Sequence, residues 1–422
     1  MNILDTFKAR FLFEDATSPD LAKALEKPLT VYAGFDPTND SLQAGNFVTI
    51  MALAHLQRAG HQVIALVCGA TGLIGDPSGK SKERNLLSAE QVERNLEGIK
   101  ENLSRFIDFS PDSPNPALMV NNYDWFKDFT FIDLLRDVGR YFRMGVMLSK
   151  DSVKKRMESD DGMSFTEFCY QILQGYDFYH LYKTHGCALQ IGGSDQWGNI
   201  TAGTELVRRI CGEEVFGMTF PLVCDSTGKK FGKSEGNAIF LDARKTSCYD
   251  FYQFFLRAMD ADVIRYLKIF TFLPFERIAE LEQAVAAAPE KREAQYVLAE
   301  ELTRAVHGEA GLAIAKKASE VLFGGSIEGL AAADLEQIFA NVPSATLPAD
   351  QVLGKPAFDV IAAAGMAASK GEARRLVQQG GLNINNVRVA GLERVFDAAD
   401  LIEGRLAVLR SGKKSFFLLK VQ

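Results

Sequence analysis

Residues 29–67 read LTVYAGFDPTNDSLQAGNFVTIMALAHLQRAGHQVIALV, and the fold is decided by how this stretch is parsed. Leu29 to Ala33 is a short apolar run of strand type, ended by the turn-rich segment Gly34 to Leu42. Phe47, Ile50, Met51 and Ala54 then recur at helical spacing until Gly60, a residue suited to a helix C-terminus. Val63 to Val67 is a continuous apolar run, the pattern of a strand buried on both faces of a parallel sheet. Strand, helix and strand in that order form a crossover unit, which implies a doubly wound, Rossmann-like α/β sheet. The loop Gly34 to Asn46 runs into a helix start, where backbone N–H groups make an anion site; an ordinary solvated turn fits these residues equally well.

Further along, Ser164 and Glu167 have capping-box spacing and open a helix to about Tyr182, followed by a strand from Ala188 to Ile191. Tyr249 to Phe323 has helical periodicity and little strand signal. The less periodic stretch from Gly324 to Gly354 contains Pro343 and Pro348 and reads as a linker with one short helix at most. In the C-terminal part, Ser369 and Glu372 cap a helix that ends at Gly380 and Gly381. Leu382 to Ile384 and Val387 to Val389 flank Asn385-Asn386, a two-residue hairpin turn. The expected organisation is a Rossmann-like domain over 1–225 with an insertion near 121–163, a lysine-rich loop over 226–245 and an all-helical domain over 246–323. A linker over 324–354 and a small α+β domain over 355–422 complete it.

Composition bounds the function classes. A chain of 422 residues with 47% hydrophobic and 24% charged residues buries more than one core and is neither disordered nor fibrous. Met1 to Asp15 lacks an apolar leader, and no stretch approaches the ~20 apolar residues of a membrane span, so a cytoplasmic location without membrane contact is expected. The six cysteines include no C-x-x-C pair and the five histidines no metal spacing, so neither a disulfide framework nor a protein-bound metal is expected. The net charge of -7 is uneven. Lys355 to Gln422 holds 11 Lys and Arg against 6 Asp and Glu, a net +5 that leaves -12 for the remainder, so the C-terminal end suits a polyanion.

Three further segments carry chemistry. Gly69, Gly72 and Gly75, with Thr71 and Asp76, form a loop at a strand end, where glycines let the backbone approach a ligand and Asp76 suits an ammonium. An ordinary glycine-rich turn is the plainer reading. Tyr170, Gln174 and Asp177 fall at i, i+4 and i+7 on a helix otherwise covered by apolar side chains, which makes a buried polar pocket a sharper reading than a solvated face. Lys229, Lys230 and Lys233, with Ser234, stand in a glycine-containing loop suited to clamping phosphates, although most lysine runs are simply solvated.

Lys230 to Ser234 resembles the Lys-Met-Ser-Lys-Ser loop of class I aminoacyl-tRNA synthetases. Gly34 to Thr38 (GFDPT), Gly69 to Lys80 (GATGLIGDPSGK) and Gln190 to Asn199 (QIGGSDQWGN) are similar to the bacterial-type tyrosine enzymes in particular. The likeness runs nearly end to end, through VIRYL at Val263 to Leu267 and a C-terminal unit like a small RNA-binding domain. It implies activation of tyrosine with ATP and Mg2+, then transfer to tRNA(Tyr) by a homodimer, with the insertion at the interface and the helical domain reading the anticodon. Tyr32 and Asp177 would bind the substrate phenol and Asp76, Tyr170 and Gln174 its ammonium, with Gln196 and Asp195 at the adenylate and ribose. Asp36, Gly45, Asn46, Thr49, Gly193 and Ser234 would complete the ATP site. Thr38, Gln43, Lys80, Arg84, Lys230 and Lys233 would steady the triphosphate. Arg208, Arg209, Lys370, Arg374 and Arg375 are the candidate tRNA contacts.

One departure stands out: the first motif normally carries two histidines, and here Gln43 and Asn46 occupy those places. An amide donates a hydrogen bond but carries no charge. The departure motivates an alternative reading as an RNA-binding relative with impaired catalysis. The retained pocket and lysine residues weigh against that reading, and the pair Tyr32 and Asp177 weighs against a tryptophan enzyme.

Overall fold

A computed structural model describes residues 2–78, 88–159, 162–234, 237–322, 327, 330–339, 342–412 and 415–422. Two compact units result, one of residues 1–246 with 254–306 and one of residues 247–253 with 307–422.

The first unit is built on a six-stranded sheet. Its strands are β1 (Asp15–Ala16), β2 (Thr30–Phe35), β3 (Gln62–Val67), β4 (Leu118–Asn121), β5 (Cys187–Gly193) and β6 (Phe216–Phe220), in the spatial order β1-β6-β5-β2-β3-β4. All neighbours run parallel except β1, which pairs antiparallel with β6; apart from this sheet, the short strands β7 (Lys233–Ser234) and β8 (Asn237–Ala238) pair antiparallel with each other. Strand order reverses between β2 and β5, so their carboxyl ends diverge into the crevice where such sheets bind ligands. Tyr32 sits at this seam, in register with Ile64 on one side and Gln190 on the other.

Helices cover both faces. α1 (Phe47–Arg58) is buried over most of its length, ends at Gly60 with φ +92°, and delivers the chain to β3. α2 (Asp151–Met157) precedes α3 (Phe165–His185), whose Phe178 and Leu181 pack with Tyr32, Ile64 and Leu66. Ser164 caps α3 by accepting the Glu167 N–H, and the αL residue Gly186 ends it. α4 (Trp197–Cys211) lies alongside and adds Val207 to the same core. Within this unit, α5 (Asp260–Phe270) ends where the Arg10 guanidinium donates to the carbonyls of Lys268, Thr271 and Leu273 at 2.7 to 3.0 Å, a cation placed at the negative end of a helix.

The helical stretch expected as one domain is divided. A single run from Glu293 to Leu322 is broken at Gly308, whose φ of 71° is not helical, and the units separate beside it. The expected linker over 324–354 also needs correction. Ser344–Leu347 is a strand, β9, and pairs parallel with the last strand of the second unit. Its four residues alternate polar and apolar, but the run is short and bounded by Pro343 and Pro348; the pairing comes from a partner more than seventy positions away, Leu418 to Val421. That unit contains α6 (Lys370–Gln378) and a five-stranded sheet of β9, β10 (Leu382–Ile384), β11 (Val387–Arg388), β12 (Leu406–Ser411) and β13 (Ser415–Val421). The turn between β10 and β11 has Asn385 and Asn386 at φ 49° and 64°, the left-handed pair that a tight hairpin requires.

One buried ion pair anchors the start of α3. Arg156 on α2 meets Glu167 at 2.9 Å with side-chain exposures of 4% and 3%, and the same guanidinium donates to Ser159 Oγ and to the Gly162 carbonyl. Removing one member of such a pair leaves the other charge buried and unpaired. Arg156→Met is therefore expected to destabilise the fold by about 3 to 5 kcal/mol. Urea unfolding followed by circular dichroism checks this; an unchanged midpoint would contradict the buried pair.

Candidate active site

A cavity of about 530 Å³ opens at the carboxyl ends of β2 and β5. Tyr32, Asp76, Tyr170, Gln174, Asp177 and Gln196 all line it, the complete set expected to hold the amino acid. Asp36, Thr38, Gln43, Gly45, Asn46, Thr49, Gly193 and Asp195 line it too. The helical stripe expected from spacing is real: Tyr170 and Asp177 are buried on α3 and face this space with Gln174.

Asp177 sits deepest, at 1% exposure. Its Oδ1 accepts the Trp125 indole N–H at 2.9 Å and its Oδ2 the Asn122 amide at 3.1 Å. Asn122 is also fully buried, donates to Thr71 Oγ1 at 2.8 Å and accepts the Ala70 N–H at 2.7 Å, joining β4 to the glycine-rich turn. The turn has no room to spare, since a Cβ on Gly69 would meet Asn121 Oδ1 at 2.1 Å. Burial pushes the Asp177 carboxyl up to about 8, against the two hydrogen bonds, which favour the charged form. Next to it, burial and then the charge of Asp177 push the Tyr32 phenol well above its ordinary range. Tyr32 Oη and Gln190 Oε1 are buried polar atoms on the cavity wall without a protein hydrogen bond, a state that a ligand relieves.

A second network holds Asp76. Gln196 Nε2 donates to its Oδ2 at 2.6 Å, while the Ser78 N–H at 2.9 Å and the Asn199 amide at 3.4 Å donate to its Oδ1. Gln174 donates to Gln196 Oε1 at 3.2 Å, so α3, β5 and the glycine-rich turn are bound together around one carboxylate. Burial, then the charges of Asp36 and Asp76, push the Tyr170 phenol well above the usual value. Asp36, Asp76 and Asp177 thus surround a space that no described Lys, Arg or His lines. Such a cavity favours a ligand ammonium, and any phosphate entering it needs positive charge from outside its walls.

That charge has to come from the loops. Lys80 and Arg84 lie outside the described residues, as do the side chains of Lys233 and Ser234. Lys230 lines a separate cavity of about 250 Å³ beside Phe231, Asp262 and Tyr266. The lysine loop nevertheless meets the first motif. Gly232, at φ +92°, lies so close to Gly45 that a Cβ there would be 2.7 Å from its nitrogen. Ala44 N–H donates to the Ile239 carbonyl at 2.8 Å, and Ile239 N–H to that of Gly232 at 3.0 Å. Asn46 Oδ1 accepts the Gln43 N–H at 3.0 Å, which leaves its amide NH2 as the group available to a ligand.

None of the candidate tRNA contacts is among the residues lining this cavity. Arg208 and Arg209 both pair with Glu205 on α4. In the second unit, Lys370 pairs with Asp359 at 2.8 Å and Arg374 lies over the Phe358 ring. Sequence reasoning missed Asn122, Trp125, Ser78 and Asn199. The last of these ends the quoted QIGGSDQWGN segment, and i, i+3 spacing from Gln196 was a signal available for it; Asn122 and Trp125 had none, because a short strand not visible in the sequence places them.

Comparison with known proteins agrees with this geometry. Residues 23–324 match the model of the tRNA synthetases class I (W and Y), and residues 334–419 match that of the tyrosine-tRNA ligase SYY-like C-terminal domain. The chain is 48% identical over 421 residues to a tyrosine-tRNA ligase of Protochlamydia amoebophila, covering 100% of this chain and 99% of that one. It is 50% identical over 423 residues to one of Bacillus caldotenax, with 100% of both chains covered. A C-terminally truncated mitochondrial tyrosyl-tRNA synthetase of Aspergillus nidulans superposes with a TM-score of 0.68 at 33% identity, over 76% of this chain and 94% of that one.

The buried carboxyl has a signature in stability. Asp177 titrates at about 8 in the folded chain against 3.8 for the unperturbed group, so between these values the folded state holds a proton that the unfolded state has released. Raising the pH through this window therefore costs folding stability, and above it nothing further is lost. Asp177→Asn lacks the slope. In urea melts without ligand, its stability relative to the unaltered chain is expected to rise from pH 4 to 8 and then level off; a pH-independent difference would contradict the buried, elevated carboxyl.

Proposed function

Because the chain belongs to the class I tRNA synthetases of the tryptophan and tyrosine group, we propose that its cavity reads the tyrosine phenol with Tyr32 and Asp177 and uses its loops to release pyrophosphate. The reaction is that of a tyrosine-tRNA ligase: tyrosine and ATP give tyrosyl-adenylate and pyrophosphate, and the tyrosyl group then passes to tRNA(Tyr). The observation that carries the pocket assignment is the pairing of an unpartnered buried Tyr32 hydroxyl with a buried Asp177 at the cavity floor. A phenol hydroxyl donates to one and accepts from the other. Phenylalanine would leave the Tyr32 hydroxyl without a partner and offer Asp177 no O–H, and the tyrosine-specific enzymes of this class are themselves the reference case for this asymmetry.

The substrate ammonium falls to Asp76, Tyr170 and Gln174, of which Gln196 ties Asp76 and Gln174 into one network. That hold aims the tyrosine carboxylate at the α-phosphorus of ATP. The new C–O–P bond forms as the bond to the pyrophosphate oxygen breaks, and positioning and charge stabilisation supply the catalysis. Gly45, Asn46 and Thr49 at the start of α1 offer donors to the phosphates, Asp36, Gly193 and Asp195 complete the nucleotide site, and Thr38 and Gln43 stand beside the phosphate path. Lys80, Arg84, Lys230, Lys233 and Ser234 supply the countercharge that the acidic cavity lacks. Mg2+ bound to the ATP would supply further positive charge to the phosphate oxygens. In the second step a hydroxyl of the terminal ribose attacks the tyrosyl carbonyl and AMP leaves.

Backbone contacts to tRNA are assigned to Arg208, Arg209, Lys370, Arg374 and Arg375, whose phosphate attraction is salt-dependent. The limits at 225 and 245 are kept as functional divisions, and the helical residues that follow serve the anticodon. A homodimer is supported by the apolar side chains exposed across the insertion and next to it, among them Phe131, Ile132, Met144 and Val146. A cytoplasmic location follows from the need to meet tRNA where proteins are made.

Two variants test this reading. Asp177→Ala is expected to lose the preference for tyrosine over phenylalanine in adenylate formation, and retained discrimination would refute the pocket assignment. Gln43→Ala is expected to slow tyrosine activation by about 1 to 3 kcal/mol of transition-state stabilisation with little change in tyrosine binding. An unaltered rate in stopped-flow measurements would remove Gln43 from the reaction.

A further inference from the structure

The segment Val263 to Leu267, VIRYL, has no part in the site described above, yet its helix α5 is where the lysine loop is seated. The chain from Val223 to Phe231 is a small hairpin. Phe231 N–H donates to the Val223 carbonyl at 3.0 Å, Asp225 N–H donates to that of Lys229 at 2.8 Å, and Cys224 is bridged to Lys230. Asp225 Oδ1 stiffens the tip by accepting Thr227 N–H, Thr227 Oγ1 and Lys229 N–H at 2.6 to 3.0 Å.

Two grips fasten this hairpin to α5. Asp262, 2% exposed, accepts both the N–H and the hydroxyl of Ser226 on Oδ2, each at 3.0 Å. Its Oδ1 receives Arg265 Nη2 at 3.0 Å, and that same nitrogen also donates to the Cys224 carbonyl. On the other side Phe231 stacks on Phe270 at 4.6 Å between ring centroids and meets Tyr266 edge-on at 5.0 Å, with Phe254 and Phe255 completing the aromatic seat. A buried carboxylate with three donated contacts and a ring enclosed by four others leave the hairpin one favoured position. Phe231 leads directly into Gly232, whose backbone touches Gly45, so this position fixes where the lysines on either side begin.

We propose that Asp262, Arg265 and Phe231 are positioning residues that hold the lysine loop for tyrosine activation and are dispensable for transfer to tRNA. The proposal rests on the reading of Lys230 and Lys233 as the clamp on departing pyrophosphate. After pyrophosphate has left, the clamp has no charge to hold, so only the first step needs the seat.

The test separates the two steps in the full-length protein. Tyrosine-dependent pyrophosphate exchange reports activation, and single-turnover transfer from preformed tyrosyl-adenylate to tRNA reports the second step. Arg265→Ala is expected to lower kcat/KM for ATP by about tenfold or more, since sub-ångström to ångström misplacement of a charge carries penalties of that order. Tyrosine binding and transfer stay at their original values, and Arg265→Lys recovers part of the loss. Ser226→Ala removes one hydrogen bond at an exposed position without unpairing a buried charge and gives a smaller loss of the same kind, which keeps the test decisive where Arg265→Ala does not fold. Arg277→Ala, which removes surface pairs with Glu280 and Glu293, leaves both steps unchanged. Equal slowing of both steps, weakened tyrosine binding, or normal activation in Arg265→Ala and Ser226→Ala would overturn the proposal. Lys233→Ala discriminates between failures: if it too activates normally, the clamp reading fails, and if it alone loses activation, only the seat fails.

Discussion

The structure depends on keeping carboxylates out of water at the point where the sheet reverses direction. Asp177 and Asp76 are both nearly inaccessible, and no described basic side chain lines the space between them. Burying a carboxylate costs several kcal/mol unless donors surround it. Several nearby segments contribute such donors: Trp125 and Asn122 from the chain after β4, Gln196 from the turn after β5, Asn199 from α4, and the Ser78 N–H from the glycine-rich turn. The same groups that make the acids tolerable also fix them in space, so the site is shaped before any substrate arrives. An acidic, pre-shaped cavity has a natural complement in an amino acid that presents an ammonium at one end and a hydroxyl at the other.

Phosphate chemistry imposes the opposite electrostatic demand at the mouth of the same cavity, and the fold meets it with separate parts. The start of α1 offers neutral donors, and the lysine loop brings charge from a different stretch of chain. Gly232 against Gly45 is the contact at which the two meet, and no side chain fits there. On the proposed assignment, Gln43 and Asn46 offer the phosphates amides in place of charged donors, which places more of the work on the lysines. The proposed seat on α5 would then hold the nucleotide side apart from the amino-acid pocket.

Much of this was legible in the sequence, for local reasons. The crossover from Leu29 to Val67 has long apolar runs, clear punctuation at Gly34 and Gly60, and no competing pattern, and it appears as β2, α1 and β3. The spacing of Tyr170, Gln174 and Asp177 is a property of one helix and needs no knowledge of its surroundings. What escaped is what distant parts of the chain create together. β9 is a strand only because β13 pairs with it, and the division at Gly308 follows from a backbone angle that a lone glycine does not announce. Asn122 and Trp125 acquire their part from Asp177, more than fifty positions away, and the seat for Phe231 is assembled from rings more than twenty positions further along the chain.

The most direct measurement is the exchange of labelled pyrophosphate into ATP by the unaltered protein, with tyrosine, phenylalanine or tryptophan supplied in turn and no tRNA present. Rapid exchange with tyrosine alone is the predicted result, and it would establish both that the buried phenol-reading pair sets specificity and that Gln43 and Asn46 serve the phosphates. Equal exchange with phenylalanine would contradict the pocket, and tyrosine binding without any exchange would contradict the assignment of the amides and lysines to activation.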